Sequence, residues 1–178
     1  GSYANAYGVE IGKKYVTDNY AFLCHTDICV TSPTFFSEVR KKVSEGYELV
    51  SMSQDTIRIK AAHQSGILVR SDILKNVDTL PKLPELDVCD TLTQHCRDEK
   101  ISYFVFPCTY NDSTLNEVIN EPYKSFGSTC GIDRTVDSSN NVMYMHLGRG
   151  TPKQQGTYFK PGKITHDKWV DICSELLK

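Results

Sequence analysis

Four groups of residues in this 178-residue chain have the types and spacing to do chemistry. His25-Thr26-Asp27 is a polar triplet ending an apolar run, able to hold a metal or a proton. Its carboxylate suits a hard divalent cation, Mg2+ or Mn2+, which takes oxygen ligands and usually shares them with substrate phosphates. His25 could add an imidazole nitrogen to Mn2+. Glu85, Asp87 and Asp90 crowd the start of a predicted helix, where the dipole stabilises their charge and keeps them good proton acceptors. His63-Gln64-Ser65-Gly66 spells one half of a two-histidine phosphoesterase signature, but the chain has no second His-x-Ser or His-x-Thr. His146 precedes Gly148-Arg149-Gly150, where the planar guanidinium could clamp a phosphate, although the spacing is not that of a P-loop. Each group also has a plainer reading: a turn aspartate, a satisfied core histidine, or ordinary helix-start charge.

The elements that must position these groups alternate between strand and helix, which sets the class as α/β. A first helix is predicted from Tyr3, Tyr7, Ile11 and Tyr15 at four-residue spacing. Tyr20–Cys24 runs apolar without alternation, as a strand buried on both faces does. Ser32-Pro33 then opens a helix to about Glu45 that buries Phe35 or Phe36, Val39 and Val43, with Gly46 as its stop. Strands are predicted at 47–52, at the alternating Thr56–Lys60, and at Ile67–Val69 before a short helix from Ser71. After a loop at 77–84, a helix over 85–99 places Leu86, Cys89, Thr93 and Cys96 on one face. A strand follows at Ile101–Phe106, then a capping box at Thr114–Glu117, mostly loop over 120–141, a last strand at Val142–Leu147 and a final amphipathic helix from about His166. On a strand, the adjacent Cys24 and His25 point to opposite faces and do not form a nucleophile–base pair.

Composition narrows the function classes. Apolar residues make up 39% and charged ones 24%, the balance of a globular chain with a real core. Lys plus Arg is 20 against 22 for Asp plus Glu, so no electrostatic case exists for nucleic acid or an anionic membrane. No apolar run approaches the roughly 20 residues of a transmembrane helix. The seven cysteines are odd in number, lack Cys-x-x-Cys spacing, and often sit in apolar runs. They read as buried thiols of a reducing, cytoplasmic compartment.

The order Asn5-Ala-Tyr-Gly-Val-Glu-Ile-Gly12, Tyr20-Ala-Phe-Leu23, His25-Thr-Asp27 and Thr34-Phe-Phe36 resembles the middle of a GT-A glycosyltransferase of the family 2 kind. There, an Asn-x-Gly-x-x-x-Ala helix leads into an apolar strand ending in an Asp-x-Asp metal motif; here His25 stands at the first Asp. The resemblance implies a mixed, mostly parallel sheet flanked by helices, one domain over 1–178 whose nucleotide-binding part lies upstream. A fragment of that kind would expose a sheet edge and self-associate. The implied reaction moves a sugar from a nucleotide-diphosphate donor to a glycan or other acceptor hydroxyl, with inversion. Asp27 and His146 would hold the metal, Asp87 would be the base ahead of Asp90 and Glu85, and His25, His63, Ser65, Gly66 and Arg149 would face the substrates. Two rivals stand beside it: a non-catalytic module in which His25 marks a lost metal site, and a phosphoesterase centred on His63 and Ser65.

Overall fold

The computed structural model describes residues 2–130, 132–148 and 166–178. The chain divides into two compact units, Gly1–His25 with Phe36–Phe106, and Thr26–Phe35 with Pro107–Lys178. Each contains its own sheet, and the class is α/β with mixed pairing.

The first unit is built on a four-stranded sheet. Its strands are β1 (Tyr20–Cys24), β3 (Leu49–Ser51), β4 (Gly66–Arg70) and β5 (Tyr103–Val105), in the order β1-β4-β3-β5. Only β3 and β5 run parallel, whereas β4 is antiparallel to both β1 and β3, so the expected mostly parallel sheet is corrected to a mixed one. The physical reason is the connection: the pairing of β3 with β4 continues through the Gln54–Ala62 bridge to a reversal closed by the Asp55 amide on the Ala61 carbonyl, and a chain that turns back on itself this way pairs antiparallel. β1 is likewise not doubly buried. It lies at the sheet edge, with Ala21 and Leu23 packed on the core and its residues only partly covered.

Helices α1 (Ser2–Gly12), α3 (Ser71–Asn76) and α4 (Asp90–Asp98) supply the rest of this core, with Ala6, Ile73, Leu74, Leu92 and Cys96 buried against Leu49, Ile67 and Val69. The predicted face of α1 is the wrong one. Tyr3, Tyr7, Ile11 and Tyr15 are 53%, 58%, 57% and 78% exposed, while Ala6, Val9 and Lys13 turn inward. Lys13 is buried yet satisfied: its ammonium donates to Glu10 at 2.6 Å and to the Val77 carbonyl at 2.5 Å. Glu10 in turn accepts from the Thr79 amide and hydroxyl. A charge paired on all sides holds this turn more firmly than an aromatic stripe would.

Two further departures have one cause. Thr56–Lys60 is a turn, with Arg58 and Lys60 at φ 51° and 52°, not a strand. The helix expected over 85–99 begins only at Asp90, because Cys89 takes φ 65°, which a right-handed helix does not admit. Arg58 joins the two segments, donating from Nη2 to Asp55 at 2.5 Å and from Nε to Asp90 at 3.0 Å, with Asp87 3.5 Å away. That ion cluster overrides both local patterns.

The second unit is built on an antiparallel sheet, β2 (Ile28–Val30), β7 (Val142–His146) and β6 (Asp133–Val136), with β7 central. Helices α5 (Leu115–Val118), α6 (Tyr123–Cys130) and α7 (His166–Leu176) accompany it, and Ile119, Trp169 and Ile172 join Cys29, Val136 and Met145 in its core. α7 carries the predicted amphipathic stripe, with Trp169 and Ile172 buried and Cys173 and Leu176 packed on the same core. The stretch expected as loop over 120–141 instead contains α6 and β6. Arg134 explains why it was obscured: it is only 1% exposed, and its guanidinium donates to the carbonyls of Tyr123 and Lys124 and to Asn116. An inward arginine breaks the apolar alternation by which a strand is read. The capping role given to Thr114 belongs to Asp112, whose Oδ1 accepts both the Thr114 amide and its hydroxyl.

Helix α2 (Phe35–Ser44) is preceded by Ser32, whose Oγ accepts the Thr34 amide at 3.2 Å. Phe35, not Phe36, is the buried one, stacked on Tyr144 with ring centroids 5.5 Å apart. Among the described residues, no helix is long and apolar enough to cross a membrane.

Candidate functional site

The second unit brings Asp27 and His146 together. His146 is the last residue of β7 and lies across from Ile28, the first of β2; Asp27 is one residue earlier, and its carbonyl accepts the Leu147 amide at 3.0 Å. Antiparallel register therefore makes neighbours of residues 119 apart in sequence. The side chains follow: His146 Nε2 is 3.5 Å from Asp27 Oδ1. The resemblance implied a mostly parallel sheet, whereas the pair meets across an antiparallel ladder.

The pair has a third member. Asp133 opens β6 and is the register partner of His146 on its other side, with Oδ2 3.4 Å from Nδ1. The imidazole is thus held between two carboxylates, each partly exposed, while its own side chain is 8% exposed. Burial works against a charged ring here, but the hydrogen bonds and charges of Asp133 and Asp27 outweigh it and raise the His146 pKa from 6.5 to about 9. Gly148 seals the arrangement. Its φ is +60°, and a Cβ there would meet Asp133 Oδ2 at 3.0 Å, so glycine is the favoured residue where the chain leaving β7 passes this carboxylate.

Linkage gives a direct consequence. A group whose pKa rises on folding contributes stability that is full below its unfolded value of about 6.5 and is lost as pH climbs through about 9. Chemical denaturation in chelator is expected to show the protein losing on the order of 2–3 kcal/mol between pH 6 and pH 10 from this group. His146→Gln should start less stable and show a flatter profile over that window; an unchanged profile would mean that the ring is not held as a cation.

The donor set passes a fit test for a divalent ion. Ligand atoms about 2.1 Å from an octahedral ion, at right angles, lie about 3.0 Å apart. The 3.5 Å between Asp27 and His146 needs only a small closing movement, and one nitrogen with one carboxylate oxygen suits Mn2+ or Mg2+ with water and phosphate oxygens completing the shell. The ring proton would have to leave first, so binding must weaken as pH falls.

The other sequence candidates lie in the first unit or outside the described residues. Asp90 is buried and accepts from Arg58 Nε and, at 2.8 Å, from the Asp87 amide, so its carboxylate is already engaged. Asp87 is the more accessible of the two, its side chain 27% exposed, and its Oδ1 caps the Val88 amide. Glu85 is an exposed turn residue. His63 Nδ1 is 2.9 Å from Ser65 Oγ and accepts the Ser65 amide, a compact turn that delivers the chain into β4 at Gly66. Ser65 has no exposed surface, so its hydroxyl offers nothing to a phosphate ester from solvent. His25 donates its amide to the Ser65 carbonyl, and its ring meets that of His63 edge-on, centroids 5.7 Å apart. Arg149 lies outside the described residues. The buried cysteines carry no activation: Cys89 and Cys108 are each pushed up to about 12 by burial.

Asp133 is the site residue that the sequence did not yield. Its only signal was Val136 after Ile132, two apolar residues too far apart to announce a strand. No family model matches the chain, and no curated protein is significantly similar to it.

Proposed function

We propose that the chain is a GT-A-type glycosyltransferase that moves a sugar from a nucleotide-diphosphate donor to an acceptor hydroxyl with the help of a divalent metal. The observation that carries the reading is the 3.5 Å approach of Asp27 and His146, two residues singled out by the order of motifs around them. When bound, the ion would offset charge building on the leaving diphosphate and orient it. Asp27 and His146 would hold it. Asp87, the most exposed of the three carboxylates beside Arg58, would take the acceptor's proton, and inversion at the anomeric carbon follows if it does.

The experiment is donor hydrolysis by the intact protein across a panel of nucleotide sugars, with Mn2+, with Mg2+ and with chelator. Metal-dependent release of nucleoside diphosphate from at least one donor is the expected result. Complete inactivity across the panel, together with unaltered stability on adding Mn2+ and nucleoside diphosphate, would defeat the proposal.

A second reading is favoured by one observation. A proton on the ring lets His146 pair with both Asp27 and Asp133, leaving one net negative charge, so the triad can serve as a structural clasp with no ion. In that case the fold is a non-catalytic binding or scaffold module. The phosphoesterase reading gains nothing from the buried Ser65.

A further inference from the structure

We infer that Asp133 is a positioning residue for the metal site, fixing His146 through Nδ1 so that Nε2 faces the ion beside Asp27. This inference rests on the metal reading of the Asp27–His146 pair.

The argument begins with the ring. The two nitrogens of an imidazole point in divergent directions, so one ion takes one of them, and the other must carry a proton and find an acceptor. Nε2 is the nitrogen that lies toward Asp27, at 3.5 Å, and Nδ1 lies toward Asp133, at 3.4 Å. An ion shared with Asp27 therefore takes Nε2. That leaves Nδ1–H, and the acceptor on its side is the Asp133 carboxylate.

Sheet register makes the arrangement rigid. β7 is the central strand, and its final residue is flanked by Ile28 of β2 on one side and Asp133 of β6 on the other. The carboxylate that would bind the ion and the one that would orient the ligand are thus delivered from opposite neighbours of one strand. They do not compete for the same nitrogen. Gly148 supplies an independent sign that the contact is built in: its absent Cβ would meet Asp133 Oδ2 at 3.0 Å and His146 Nδ1 at 3.9 Å. Backbone packs close against the Asp133–His146 contact, and any side chain there would press on the Asp133 carboxylate. A carboxylate behind a ligating imidazole fixes its tautomer and raises its basicity, and losing such a partner typically costs 10–100-fold in metal affinity.

The test uses the full chain and Mn2+ itself, titrated by electron paramagnetic resonance with and without nucleoside diphosphate. Asp133→Ala is expected to weaken Mn2+ binding by about 10–100-fold. Asp133→Asn keeps the shape and an accepting oxygen, so it should recover part of that loss and also guards against a folding defect in the alanine variant. The second readout is the ring nitrogen spectrum of His146 with diamagnetic Mg2+: the Nδ1–H tautomer in the parent, and a mixture of tautomers in Asp133→Ala. Parent-like Mn2+ affinity and an unaltered tautomer in Asp133→Ala, with binding abolished in Asp27→Asn, would overturn the role of Asp133 and leave the metal site standing. Failure of the parent itself to bind Mn2+, with or without nucleoside diphosphate, would overturn both.

Discussion

Asp27→Asn and His146→Ala, each made in the intact protein, are expected to lower Mn2+-dependent transfer by on the order of a hundredfold, which is the several kcal/mol that a well-placed metal supplies to a developing anionic leaving group. The losses should not add. Both side chains would act through one ion, and once either is gone the other has little left to hold, so the double variant should lose less in free energy than the two single variants summed. Their 3.5 Å separation makes the coupling strong enough to measure, since groups in contact commonly couple by about 0.5–3 kcal/mol. A control separates this from simple unfolding. The triad is also a clasp between β2, β7 and β6, and Asp27→Asn should cost stability in chelator by removing one carboxylate from the His146 cation. The transfer assay must therefore run well below each variant's melting temperature. Strictly additive losses in transfer, with equal losses of stability, would assign these residues to the clasp alone and favour the scaffold reading.

The site was half legible in the sequence, and the reason is specific. Asp27 and His146 each sit at the polar end of an apolar run, a pattern that survives whatever the pairing of the strands, so their roles could be suspected without knowing the topology. Asp133 had no such flag. It stands next to Arg134, whose burial depends on carbonyls of Tyr123 and Lys124 that only the folded helix α6 supplies. A strand that hides an arginine bonded through its two terminal nitrogens looks like loop until its partners are in place. The same lesson applies to α1, where four-residue spacing identified a helix but misread which side faced the core. Tyr3, Tyr7 and Ile11 are the bulkier set, yet Ala6, Val9 and the paired Lys13 fit under the sheet, because close packing of helix on strand rewards shape over size. Local patterns also lost to long-range charge at Thr56–Lys60: alternation argued for a strand, and the carboxylates gathered by Arg58 bent it into a turn.

That cluster yields the second large expected effect, on stability. Arg58→Ala should destabilise the protein by about 1–3 kcal/mol, the usual cost of leaving buried charged acceptors without their donor. Three carboxylates meet at this guanidinium, with the side chains of Asp55 and Asp90 only 10% and 6% exposed, and deleting the cation leaves them facing one another in a poorly hydrated site. Burial opposes the charge on Arg58, yet Asp90 first, then Asp55 and Asp87, hold its pKa above the ordinary arginine value, so the pairing is favourable from its side too. Arg58→Lys keeps the charge but not the fork that reaches Asp55 and Asp90 from two nitrogens, and should fall between the parent and the alanine variant. The decisive comparison is Asp90→Asn placed on top of Arg58→Ala. It removes one buried negative charge while keeping an oxygen to accept the Asp87 amide, so it should restore part of the stability that Arg58→Ala loses in denaturant unfolding. If the double variant is instead the less stable by the full sum of the single losses, packing of the arginine stem, and not charge, holds this turn. The outcome bears on function as well: Asp87, the candidate base, is steadied by the same guanidinium at 3.5 Å, and a loosened Asp87 should slow transfer even at temperatures where Arg58→Ala remains folded.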